Sequence, residues 1–125
     1  MVNNMFIEYN ANPYGKYIDD CLIRAITKAT GYDYMEVMDG LIAVADSKGW
    51  DIDEIRTGAV YLDSIGWELF EPSRRITVNQ FSKIVTDPRI VFVRGHATYT
   101  EGGNIYDTWN PSRYKVNYIF AKGKS

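Results

Sequence analysis

Apolar residues recur at helical spacing through the first half of this chain and in strand-length runs through the second, with glycines where one pattern gives way to the next. That order is the strongest constraint on the fold. Helical stretches followed by strands joined through tight turns predict an α+β architecture, N-terminal helices packed on a C-terminal antiparallel β-sheet, rather than alternating βαβ units. A first strand is expected over Met5–Tyr9, running into the turn-rich Asn10–Gly15. Asp19 or Asp20 caps a helix that reaches about Thr30 and ends at Gly31, with Leu22, Ile26 and Ala29 as its inward stripe and Ile23 and Thr30 beside them. A second helix is expected over roughly Tyr34–Lys48, burying Val37, Leu41 and Val44, and a third over about Asp53–Ile65, stopped by Gly66. Trp67–Phe70 reads as a strand and Asn79–Val85 as a short helix ended by Asp87-Pro88. Strands follow at Arg89–Val93, His96–Thr100, Asn104–Trp109 and Val116–Ala121.

The 125 residues suffice for one domain, 1–125, with a real core and no need of metal or disulfides. At 46% apolar and 24% charged the chain has an ordinary globular balance, but ten tyrosines lift its aromatics to 14%. The net charge is −2, and the densest basic spots, Arg74-Arg75 and Lys122–Lys124, are expected to be solvated surface rather than a nucleic-acid footprint. No apolar run approaches the ~20 residues of a membrane helix. Met1-Val2-Asn3-Asn4 lacks the start of a signal peptide, so the expected location is the cytoplasm. One cysteine cannot form an internal disulfide, and one cysteine with one histidine makes a poor zinc site.

Those two residues, Cys21 and His96, carry the chemistry. Cys21 opens the first expected helix, where unsatisfied backbone N–H groups and the positive end of the macrodipole favour a thiolate and can donate to an oxyanion. Ala25 and Ala29 continue its line, small enough to let the helix lie close against a sheet. Asp20 opposes this, since a neighbouring carboxylate disfavours a thiolate unless it turns away to cap the helix.

His96 and Asp107 stand eleven residues apart across Glu101-Gly102-Gly103. With Gly102-Gly103 as a two-residue loop, Thr98 opposes Asp107 and His96 is its diagonal neighbour; with Glu101-Gly102, His96 opposes Asp107 directly. Both registers put the two side chains on one face, ~5–8 Å apart at Cβ, and the glycines favour a two-residue loop. A three-residue loop would divide them. A histidine can keep a thiol deprotonated and protonate a leaving amine, while a carboxylate fixes its tautomer. Trp109, two residues beyond Asp107, lies on the same face and could screen the pair from water. The bland alternatives are a cysteine packed as a small hydrophobe, a structural histidine, and Asp-Thr beside Asn-Pro as plain turn chemistry.

The motifs Asp20-Cys21-Leu22-Ile23-Arg24-Ala25-Ile26, Ala29-Thr30-Gly31, Gly95-His96 and Ile105-Tyr106-Asp107-Thr108-Trp109 resemble the papain-like cysteine peptidase superfamily. The resemblance is closest to its small members: bacteriocin-processing peptidases and compact proteins encoded by phages and prophages. It covers about a third of the chain. It implies a papain-like fold, Cys21 as nucleophile, His96 as general acid–base, Asp107 as orienting carboxylate, and no cofactor. The family places a Gln or Asn several residues before the cysteine for the oxyanion; here the position six upstream is Gly15. Asn12, nine upstream, or the hydroxyls of Tyr14 or Tyr17 are the candidates for that role, and Tyr14 and Tyr17 also for a peptide groove.

Other motifs carry less. Gly95, Gly102 and Gly103 lack the spacing of a phosphate loop, and Asp51, Asp53 and Glu54 read as helix-start carboxylates rather than a calcium loop. The expectation is a cysteine hydrolase acting on a peptide or isopeptide bond of a peptide or protein substrate. A transglutaminase-like acyl transferase or an amidase is an alternative on the same residues. A non-catalytic phage or mobile-element protein that engages a host protein is an alternative from another class.

Overall fold

The computed structural model describes residues 5–15 and 20–123. Its elements run β1 (Met5–Glu8), α1 (Cys21–Thr30), α2 (Tyr34–Lys48), α3 (Ile55–Ser64), β2 (Trp67–Phe70), α4 (Val78–Ile84), β3 (Arg89–Val93), β4 (His96–Glu101), β5 (Asn104–Asp107) and β6 (Tyr118–Lys122). The architecture is α+β. Among the described residues six strands form one sheet in the order β1-β5-β4-β3-β6-β2.

That sheet corrects the expected segregation of helices and antiparallel strands. β1, from the N-terminal side of the helices, pairs in parallel with β5, and β2, between α3 and α4, forms the opposite edge against β6. The remaining pairs are antiparallel. A strand ahead of a helical block can reach the far edge because α1 crosses the sheet face between them, and local pattern reads a strand without reading its partner.

α1, α2 and α3 bury one cluster against one face of the sheet, with Leu22, Ile26, Val37, Leu41, Leu62, Ile90, Tyr99 and Phe120 at its centre. α4 covers the other face, where Val78 and Phe81 meet Val91, Val93 and Ile105. α2 turns Tyr34, Val37, Leu41 and Ala45 inward and leaves Val44 half-buried, so its stripe advances by three and then by fours. α1 buries Leu22, Ile23, Arg24, Ala25 and Ile26 in one unbroken run, with Ala29 only half-buried. A helix enclosed on more than one side has no polar face at that end, and this is why a charged residue, Arg24, lies inside.

Local chemistry fixes the boundaries. Thr77 and Gln80 form a reciprocal capping box, which starts α4 at Val78, one residue earlier than expected. The Glu54 carboxylate accepts from the Asp51 N–H at 2.7 Å, which holds residues 51–54 in a turn and delays α3 to Ile55. Val116 bonds Ile76 through its N–H before the last strand begins at Tyr118. Among the described residues, no helix is long and apolar enough to cross a membrane.

Candidate active site

Cys21 is the first residue of α1, half-buried, at the seam where that helix crosses β4. The N–H of Ala97, in β4, donates to its sulfur at 3.4 Å and fixes it against the strand that begins with His96. Asp20 is the N-cap by position, but its side chain makes no capping bond. The first N–H groups of α1 are therefore not taken up by this carboxylate.

The hairpin places the histidine. Tyr99 pairs with Tyr106 and Glu101 with Asn104, which makes Gly102-Gly103 the two-residue loop and sets Asp107 across from Thr98. Both glycines have positive φ, 62° and 84°, as a turn matched to the right-handed strand twist requires. His96 is then the diagonal neighbour of Asp107 on the same face. The two side chains close to 2.6 Å between Nε2 and Oδ2, in a buried setting. With Nε2 committed to Asp107, Nδ1 is the ring nitrogen left to serve the sulfur.

Burial by itself pushes the His96 imidazole down. The hydrogen bonds to Asp107 and to the Cys21 thiol, and the charges of both, more than offset this and raise it from 6.5 to about 9. The imidazole is thus protonated across the neutral range. Trp109 lies over it with ring centroids 4.5 Å apart at 39°, and Tyr114 packs edge-on against the indole at 5.3 Å. Trp109 is still 40% exposed, so it shields one side of the imidazole while forming part of the outer surface.

The candidates upstream of Cys21 stand differently. The Asn12 side chain is buried, donates from Nδ2 to Asp20 at 3.4 Å, and accepts the Tyr14 N–H at 2.8 Å. Its amide is directed to a carboxylate, and Asn12 does not line the cleft beside Cys21. Tyr14 is 76% exposed and also lies outside that cleft. Tyr17 lies outside the described residues.

The cleft has a volume of about 490 Å³ and is lined by Cys21, His96 and Ala97 together with Arg94, Asn117 and Tyr118. Asp53, Glu54 and Ile55, where α3 begins, line it as well. A larger hollow of about 610 Å³, between α4 and the β2–β6 edge, is lined by neither Cys21 nor His96.

Two residues near the site, Tyr34 and Arg24, take parts not expected from sequence. Tyr34 donates from its hydroxyl to Asp20 at 2.6 Å, and burial pushes this phenol up, keeping it a donor. Arg24 bonds the same carboxylate and reaches toward β5, where Thr108 accepts from Nη2 at 3.3 Å. The available signal was the Asp20–Arg24 pair at i,i+4 inside the apolar run Leu22–Ile26. Asp20 thus faces its own partners rather than the thiol, by a route other than the helix cap that the sequence suggested.

A thiol, an imidazole and a carboxylate in this order form the parts of a nucleophile–base–orienter relay. Comparison with protein families, with curated proteins and with solved structures gives no match.

Proposed function

We propose that the chain is a papain-like cysteine hydrolase that cleaves a peptide or isopeptide bond through Cys21, His96 and Asp107. The observation that carries this is the meeting of its only cysteine and only histidine, with His96 bonded to Asp107 at 2.6 Å, beside an open cleft. In the reaction the Cys21 sulfur, as thiolate, attacks the scissile carbonyl carbon with the proton resident on His96. The Cys21 N–H and its neighbours in the first turn of α1 face the developing oxyanion, in place of an upstream amide. His96 passes its proton to the leaving amine as the C–N bond breaks, giving a thioester and a free amine.

The same forces then reset the base. An acylated sulfur carries no charge and no longer pairs with the imidazole, so the contributions of Cys21 that raise His96 vanish and burial draws it back down. Neutral His96 can take a proton from water, whose oxygen attacks the thioester to release acid and thiol. An amine in place of water gives acyl transfer, the outcome expected of a transglutaminase-like enzyme.

The test is iodoacetamide labelling of Cys21 across pH, followed by acylation with an activated ester. A nucleophilic Cys21 labels fast at about pH 6–7, well below a free thiol's ordinary range, and slows in His96→Ala. Mass spectrometry then shows an acyl group on Cys21 that water removes. Labelling only after denaturation refutes the hydrolase and favours the binding-protein alternative, which the commitment of Asn12 to Asp20 also supports.

A further inference from the structure

We propose that Arg24 is a positioning residue of this site, its buried guanidinium joining the carboxylate beside the nucleophile, Asp20, to the carboxylate that holds the histidine, Asp107. The assignment rests on the hydrolase chemistry proposed above and extends it beyond Cys21, His96 and Asp107.

Arg24 lies one turn after Cys21 and is 6% exposed among Leu22, Ile23, Ala25 and Ile26. A cation in such surroundings is unfavourable unless it is paired and hydrogen-bonded. Its Nη1 donates to Asp20 Oδ1. Its Nη2 donates to Thr108 Oγ1 at 3.3 Å and lies 3.8 Å from Asp107 Oδ1. Asp107 uses its other oxygen, Oδ2, for His96, and Oδ1 also accepts the Thr108 N–H at 2.7 Å. The planar guanidinium fork therefore spans from the start of α1 to the end of β5.

Two consequences follow. The fork fixes the distance between the helix that carries the sulfur and the strand that carries the carboxylate, a spacing that a flexible point charge could not hold as well. It also balances Asp20, the residue next to the nucleophile, whose negative charge would otherwise oppose a thiolate. An ion pair that served stability alone would leave the behaviour of Cys21 and His96 unchanged on its loss, provided the fold survived.

The experiment compares the wild type with Arg24→Lys, Arg24→Gln and the double variant Asp20→Asn/Arg24→Gln. It reads iodoacetamide labelling of Cys21 against pH and the NMR titration of His96, with circular dichroism to establish folding. In folded Arg24→Gln, labelling near neutral pH falls by at least about tenfold, as small misplacements of reacting groups do. The His96 midpoint falls by about one unit as Asp107 loosens. Arg24→Lys, with the charge but not the fork, recovers part of both. The double variant removes both buried charges, and so folds where Arg24→Gln alone does not; it keeps the lowered midpoint, because Asp107 remains unanchored. A folded Arg24→Gln or double variant with wild-type labelling and a wild-type midpoint overturns the assignment. A wild-type Cys21 that labels only when denatured refutes the hydrolase instead; the His96 midpoint then decides the role of Arg24 alone, an unchanged value in the variants overturning it.

Discussion

Replacing Asp107 with Asn tests the electrostatics of the site at one atom. The substitution keeps the shape of the side chain and an oxygen for the Thr108 N–H, but removes the charge that His96 meets at 2.6 Å. In the wild type, burial lowers the imidazole while Asp107 and Cys21 together raise it to about 9. A carboxylate at this range shifts a histidine by roughly 1–3 units, so the Asp107→Asn midpoint is expected to fall to between about 6 and 8. Since the chain has one histidine, one imidazole signal in a proton–carbon NMR titration reports the change without assignment.

Stability supplies a second readout of the same charge. The group is raised in the folded state, so its contribution is complete below about pH 6.5 and is lost as pH rises through about 9. The full shift corresponds to at most about 3.5 kcal/mol, and solvent at the cleft side of the ring reduces this to ~1–2 kcal/mol. Urea melts between about pH 6 and 9 should therefore show the wild type losing about that much stability on the alkaline side, with a flatter profile in Asp107→Asn. A wild-type midpoint between about 6 and 7, or one unchanged by the substitution, refutes this account of the site.

Alkylation of Cys21 is expected to lower the His96 midpoint in otherwise unaltered protein, since the sulfur then carries no charge; an unchanged midpoint would mean that thiol and imidazole do not interact in solution. At Gly40, in α2, an added Cβ would fall on the Tyr61 ring, whose Cδ1 would lie 2.9 Å away. Gly40→Ala gains about 1 kcal/mol of helix propensity but overpacks a buried ring at about 1–3 kcal/mol. The expected result is a lower urea midpoint with an unchanged slope, and an equal or higher midpoint would show that α2 and α3 are not packed this closely.

What could be read beforehand followed how local its cause was. α2 and β2 were expected at the limits they have, because their periodicity, flanking glycine and apolar runs lie within the elements themselves. The shared face of His96 and Asp107 was legible for the same reason: two glycines restrict the loop to two residues, and both two-residue registers set the pair on one face; the structure takes the one with Gly102-Gly103 as the loop. The parallel seat of β1 beside β5 was not legible, because nothing within Met5–Glu8 depends on which strand it joins. The burial of Arg24 is not legible in the spacing of apolar residues, because α1 is enclosed by both the sheet and neighbouring helices at its N-terminal end.

The position of Asn12 follows from the same network and bears directly on how the site would work. An amide near the nucleophile can serve an oxyanion only if its N–H groups face the cleft. In this chain Asp20, Arg24 and Tyr34 form a buried polar cluster, and Asn12 adds a further donor to its carboxylate. Taking Asn12 away would remove a donor from a buried charge, a cost of about 1–3 kcal/mol. The amide is thus held by the group that must be kept away from the sulfur. With Asp20 satisfied from the side, it has no need to bond the N–H groups that begin α1, and a carboxylate cap there would compete with an oxyanion for those donors. The cluster thus exchanges an upstream amide for backbone N–H groups that the Asp20 carboxylate leaves unbonded. On this argument Asn12→Ala should leave the iodoacetamide reactivity of Cys21 within about twofold while lowering thermal stability by the lost buried bond. A large loss of reactivity with full stability would instead make Asn12 a direct contributor to the reaction.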